Sequence, residues 1–172
     1  MFVTKVSAYN VYAGEKAQKL VGVSEEVTLP ELSLLTETLS GAGILGEIDE
    51  PVMGRYGAAE IEIPLRVIDQ QAYMLLRQDK AVSLTLRISN QAIEQSDYSA
   101  DSLPTRIVVK GRNKGVNFGS VKAGSPANAS IKVEILYFLY EFKKKKLFEL
   151  DKLNFVCNVN GRDVLKKVRS QI

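Results

Sequence analysis

Residues 131–142 read Ile-Lys-Val-Glu-Ile-Leu-Tyr-Phe-Leu-Tyr-Glu-Phe. Ile131, Val133, Ile135, Tyr137 and Leu139 fall on one side of an extended chain, at the two-residue period of a β-strand. The other side begins polar with Lys132 and Glu134, then turns apolar at Leu136, Phe138 and Tyr140. An antiparallel sheet with one face in water stays polar on that face. Two accounts fit the departure. Either this end of the strand is buried on both faces, inside a sandwich or barrel, or the second apolar patch is covered by another subunit.

Outward from this strand, most of the chain reads as β-structure. Residues 60–67 alternate, with Ile61, Ile63, Leu65 and Val67 opposite Glu60, Glu62, Pro64 and Arg66, which predicts a half-buried strand. Residues 5–12 and 18–23 read as a hairpin turning at Gly14. A strand is expected over 27–39, where Pro30 fits only an edge or a strand start. Residues 40–57 hold five glycines and Pro51 and read as a long loop, a kind usually functional. Residues 69–77 predict a two-turn helix capped by Asp69, with Ala72, Tyr73 and Leu76 on one face. Strands follow over 82–88 and 105–110, with polar loops at 89–104 and 111–128. Strands at 147–151 and 155–159 and a short helix over 163–169 complete the chain. The expected fold is mainly β: two packed antiparallel sheets forming a small β-barrel or sandwich. One short flanking α-helix and long inter-strand loops complete it, in a single domain spanning 1–172.

Composition sets bounds on chemistry. A chain of 172 residues can bury about 70% of its unfolded surface in one core. The net charge of +3 is too small to argue for a polyanion partner. Histidine is absent, so histidine-dependent triads, Cys-His nucleophiles and Cys/His zinc sites are excluded. Cys157 is the sole cysteine, so no internal disulfide forms and nothing points to an oxidising compartment. The opening Met1-Phe2-Val3-Thr4-Lys5 lacks an apolar signal core, and no apolar run reaches the ~20 residues of a membrane helix. A soluble protein made in the cytoplasm is expected. Glu60 and Glu62 are a carboxylate pair on one strand face, but surface alternation explains them better than catalysis does. No enzyme activity and no cofactor or metal are expected.

Two short glycine-bearing signatures flank the long strand. The first is Thr28-Leu29-Pro30-Glu31-Leu32, followed by Gly41-Ala42-Gly43-x-x-Gly46. The second is Asp151-x-x-Asn154, then Val159-Asn160-Gly161-x-Asp163, with Arg169 near the end. Together with Asn10-Val11-Tyr12, Val108-Val109-Lys110-Gly111-Arg112, Gly119 and Gly124, their order and spacing resemble the major tail tube proteins of contractile-tailed phages. R-type bacteriocin tubes and phage-like injection systems look similar. The resemblance covers nearly the whole chain.

It implies six-membered rings stacked into a hollow tube inside a contractile sheath, with strands of neighbouring subunits joined into a continuous inner barrel. Such joining covers sheet edges that otherwise invite uncontrolled pairing. The implied partners are copies of the chain itself, the sheath protein, baseplate or initiator proteins, and DNA in the lumen if the particle is a phage. The implied location is the tail of a virion or phage-like particle, assembled in the host cytoplasm. On this reading the loop 40–57, with Gly41, Gly43, Gly46, Pro51 and Gly54, reaches the adjacent ring. Leu136, Phe138 and Tyr140 form an inter-subunit strand face. Glu60, Glu62, Arg66, Arg106, Lys110, Lys132 and Glu134 are lumen candidates. Asn160-Gly161 is a tight turn, and Asp151, Asn154 and Asp163 brace turns through backbone amides, leading into a C-terminal segment over 160–172.

The chain departs from the family pattern where residues 143–146, all lysine, replace an expected Asp-Gly turn. The family's channel is expected to be anionic, a point the net charge does not address. A rival class is a nucleic-acid-binding β-barrel, favoured by the lysine run near Tyr137, Phe138, Tyr140 and Phe142. Strand alternation sends those rings to both faces, which argues against a single stacking platform.

Overall fold

A computed structural model of the chain describes residues 1–24 and 26–172. In chain order its strands are β1 (Phe2–Ala13), β2 (Gln18–Lys19), β3 (Leu34–Leu39), β4 (Ile48–Tyr56), β5 (Glu60–Leu65) and β6 (Val82–Ile93). They continue with β7 (Ala100–Asn117), β8 (Ala129–Phe142), β9 (Lys145–Asp151), β10 (Val156–Val159) and β11 (Arg162–Asp163). A 3-10 turn spans Ala72–Leu76, and a single helical turn, α1, spans Lys166–Arg169. Nine strands form one antiparallel sheet in the order β11-β10-β9-β8-β7-β6-β1-β2, with β5 also on β8. β3 and β4 form a separate hairpin. The fold is mainly β and sandwich-like, as expected.

β8 organises the sheet. β7 runs along one edge, while β5 takes residues 129–134 of the other edge and β9 takes residues 137–142. Lys110 pairs with Tyr137 and Gly111 with Ile135, so Leu136 is an extra residue in the ladder, a β-bulge. A bulge changes the parity of the strand. Ile131, Val133 and Ile135 enter the core before it, and Phe138 enters the same core after it. Much of the apolar character on the second side in sequence is thus the core face resumed one residue out of phase. Leu139, on the opposite side, is buried as well. Gly111 sits where the strands close up again: a β-carbon there would lie 1.7 Å from the Glu134 carbonyl oxygen.

The core face is continued by Val11, Leu84, Leu86, Ile107 and Val109, and by Ile61, Ile63 and Leu65 of β5. Each such side chain contributes about 1.5–3 kcal/mol by leaving water. The sheet curls toward itself without closing a continuous ladder. The Ser24 N–H donates to the Pro64 carbonyl at 3.0 Å and the Arg66 N–H to the Gly22 carbonyl at 2.8 Å, around a single Val23–Leu65 bridge.

Several segments expected as loops are strand. Residues 89–104 belong mostly to β6 and β7, which pair without a register break from Val82–Gly111 to Ile93–Ala100. Residues 111–117 extend β7. Polarity misled here because the ladder bonds backbone to backbone, and one wet face tolerates any polar side chain. The buried Asn90 is satisfied by donating to the Leu103 carbonyl and, at 2.7 Å, to the Thr105 hydroxyl. In the other direction, the expected strand over 27–39 shrinks to Leu34–Leu39. The expected helix over 69–77 is only the 3-10 turn: Asp69 Oδ1 accepts from the Ala72 N–H at 2.8 Å, but Leu75 is buried and Tyr73 is exposed. Val67 lies past the end of β5 and is exposed rather than facing the core.

Candidate functional site

The side of the main sheet away from the core carries most of the proposed lumen residues. Register places Glu60 opposite Glu134, Glu62 opposite Lys132, and Arg106 opposite Glu141. Most of their charges are locally paired. Lys114 bridges Glu60 at 2.9 Å and Glu134 at 3.3 Å, and Lys132 reaches Glu60 at 3.2 Å and Glu62 at 3.9 Å. Arg106 bonds Glu141 at 2.8 Å, and the Lys110 ammonium lies 5.5 Å from the centre of the Tyr137 ring. Bonds from Lys114 and then Lys132 hold the Glu60 carboxyl below the usual range, and Glu60 and Glu134 raise Lys114 in turn. Arg66 is not brought into this group, because β5 ends at Leu65. Sequence reasoning missed Lys114, which it assigned to a loop, although Arg106, Lys110, Arg112 and Lys114 share one strand parity.

On the same side Tyr137 donates to Glu149 Oε1 at 2.8 Å, and Glu149 also accepts from Lys146 and Asn158. Burial first, and the bond to Glu149 second, push the Tyr137 phenol up to about 12. Burial alone would raise Glu149, but its bonds from Tyr137, Asn158 and Lys146 outweigh that and hold it low.

Of the expected inter-subunit residues, Phe138 is placed differently. It is buried in its own chain, tilted against Phe148 at 6.1 Å between ring centres, and Phe148 meets Tyr56 edge-on at 5.8 Å. The bulge at Leu136 is the reason, since it turns Phe138 to the core side. Tyr140 is half-buried and packs on the same core, and Leu136 is half-buried at the bulge itself.

The segment expected as a loop over 40–57 is an arm with only a short tip. β4 fills residues 48–56, so Pro51 pairs with Thr36 inside the ladder rather than in a loop. Gly41, Gly43 and Gly46 stay at the tip. Side chains along β3 are all exposed, and the arm displays Leu34, Leu39, Ile44, Leu45 and Ile48 to solvent. Leu34 pairs with Tyr56 but Thr36 with Pro51, so residues 52–55 bulge out of the ladder. Gly54 lies in that bulge with φ of 72°, and a β-carbon on it would come within 2.6 Å of Leu165. The bulge and the C-terminal segment enclose a groove of about 520 Å³ lined by Leu35, Val52, Met53, Phe155, Leu165 and Val168.

The second signature braces that segment. Asp151 Oδ1 accepts from the Leu153 and Asn154 amides, and Oδ2 accepts from the Asn154 side chain at 2.7 Å. Asn160 and Gly161 have φ of 49° and 79° and form the two-residue turn between β10 and β11. Asp163 accepts from the Leu165 amide and pairs with Arg169, which also donates to the Phe155 carbonyl at 2.7 Å.

Comparison with known proteins fits this architecture. The family model described as phage tail tube protein FII matches residues 4–172. The tail tube protein of Escherichia phage P2 is 28% identical over 152 residues, covering 88% of this chain and 87% of that one. In fold, the chain is similar to the sheath/tube terminator of the extracellular contractile injection system PVC in its extended state. That likeness has a TM-score of 0.58 at 14% identity, over 82% of this chain and 98% of the other. The ordered signatures, the β-sandwich and a match from residue 4 to the last residue agree: the chain belongs to the phage tail tube protein FII family.

Proposed function

We propose that this chain builds the inner tube of a contractile tail or phage-like particle as six-membered rings stacked head to tail. The observation that carries the reading is the β3–β4 arm. It is a two-stranded hairpin with an exposed β3 and an exposed apolar tip. A hairpin of two strands is marginally stable alone in water, so an arm of this kind is suited to being completed by a neighbour. The glycine tip then contacts the adjacent ring. The charge-paired sheet face lines the lumen, through which DNA passes if the particle is a phage. The exposed lysines at 143–146 suit contact with the surrounding sheath, and baseplate or initiator proteins start the stack. Synthesis and assembly take place in the host cytoplasm.

The nucleic-acid-binding alternative is weakened by the burial of Phe138 in the core, which removes one of the four rings near the lysine run from any stacking surface. Negative-stain microscopy of the concentrated protein is the direct test. Rings or tubes of six-fold symmetry are expected. A monodisperse monomer at every concentration, together with oligonucleotide binding of steep salt dependence, would favour the rival.

A further inference from the structure

We propose that the groove between the residue 52–55 bulge and the C-terminal segment is the socket for the arm tip of a second copy. The inference rests on the assembly reading above and names the surface that receives the arm. In it, Ile44 and Leu45 of one copy sit among Val52, Met53, Phe155 and Val168 of the next.

Three observations meet here. The first is apolar complementarity. Leu45 is fully exposed at the tip, at 106% of the reference area, while Val52, Met53 and Phe155 are exposed around the groove. The second is reach. The β3–β4 ladder runs from Leu39–Ile48 down toward the groove, and Ile48 to Met53 alone spans about 17 Å at ~3.3 Å per residue. A ladder of that length holds the tip away from the groove of its own chain, so the occupant is another copy.

The third is charge. The arm carries Glu37, Glu47, Asp49 and Glu50, and among the described residues none of these is paired with a cation. The groove is lined by Arg55, Lys152 and one carboxylate, Asp151, which is already held by Asn154; Lys166 and Lys167 lie between its lining residues Leu165 and Val168, so cations outnumber the carboxylate. None of these cations is paired with a carboxylate among the described residues. The acidic tip and the mainly basic socket are different surfaces at opposite ends of the arm, so the contact between them is heterologous and propagates from copy to copy.

The test uses full-length chains carrying Leu45→Cys or Val168→Cys. The native Cys157 is buried and does not compete for oxidation. The two variants are mixed with an excess of unmodified chain under conditions where that chain assembles, then oxidised mildly. A disulfide-linked dimer that forms only when both variants are present is expected. Tubes without that dimer, or a Leu45→Cys dimer formed without the Val168→Cys chain, would overturn the socket while leaving the tube reading intact. Failure of the unmodified chain to assemble would count against the tube reading itself.

A second arm reads charge alone. Glu47→Lys with Glu50→Lys is expected to raise the protein concentration needed for assembly at least tenfold. Adding Lys166→Glu and Lys167→Glu to the same chain is expected to restore it. All four positions are exposed, so circular dichroism should report an unchanged monomer. Assembly unaffected by the first pair, or not restored by the second, also overturns the socket.

Discussion

Leu165 packs its side chain directly over the α-carbon of Gly54, with its Cδ2, Cγ and Cδ1 atoms all within 2.9 Å of where a β-carbon would stand. This contact ties the C-terminal segment to the base of the arm, and Gly54 holds a backbone conformation that other residues adopt at a cost. Gly54→Ala is expected to destabilise the chain by about 1–3 kcal/mol from strain and overlap. Leu165→Ala should cost about 2–5 kcal/mol through its cavity. The double variant should lose less than the two losses added, because the smaller side chain admits the methyl group. Urea denaturation of the four chains measures the cycle.

The Tyr137–Glu149 bond gives the chain two pH limits. Tyr137 is raised to about 12, so its contribution is complete below the ordinary tyrosine range near ~10 and is lost as pH rises from there through about 12. Glu149 is held low, so its contribution is present above the ordinary carboxylate range and is lost as pH falls below about 4. Spectrophotometric titration should find a late-ionising tyrosine that disappears in Tyr137→Phe. Glu149→Gln should bring that ionisation to lower pH and flatten the acid limb of thermal stability.

Phe138→Ala is expected to cost about 3–5 kcal/mol, the loss typical of a buried aromatic ring. A residue reserved for a subunit interface would instead leave the monomer nearly unchanged and weaken only assembly. Melting of the dilute monomer separates the two outcomes.

Lys143 and Lys144 take φ of 50° and 64° at the β8–β9 turn, a conformation suited to Asn-Gly. Replacing the pair by Asn-Gly should stabilise the monomer by about 1–2 kcal/mol, since a left-handed conformation costs that much for most residues. Calorimetry should show a rise in Tm of about 2–4 °C per kcal/mol for a chain of this size. If the lysines contact a sheath, co-assembly with it should weaken even as the monomer gains stability.

The alternation of residues 60–65 and 131–135 made the central strands legible, because a buried face two residues apart writes itself into the sequence. The bulge at Leu136 was visible only as a strand that turned apolar on the wrong side; its cause lies in pairing with β7, which no local pattern encodes. β4 was hidden for a related reason. It buries almost no side chain, and its glycine and proline sit at a bulge and a ladder position of an exposed hairpin. The glycine signatures did locate the arm tip and the Asn160-Gly161 turn, since turn geometry restricts residue type directly. The groove joins residues more than 100 positions apart, such as Val52 and Val168, so no window of sequence displays it.

The paired charges on the outer sheet face have a consequence for traffic along a tube. Lys114 and Lys132 already hold Glu60, Glu62 and Glu134, and Arg106 holds Glu141. If that face lines the tube, most of its charges carry their own counterions, so a passing polyanion has few small ions to displace and little to gain by halting. Repeating such a subunit lengthens the passage without deepening an electrostatic well along it. Drag per unit length would then depend on fit and hydration, and would change little with the salt outside.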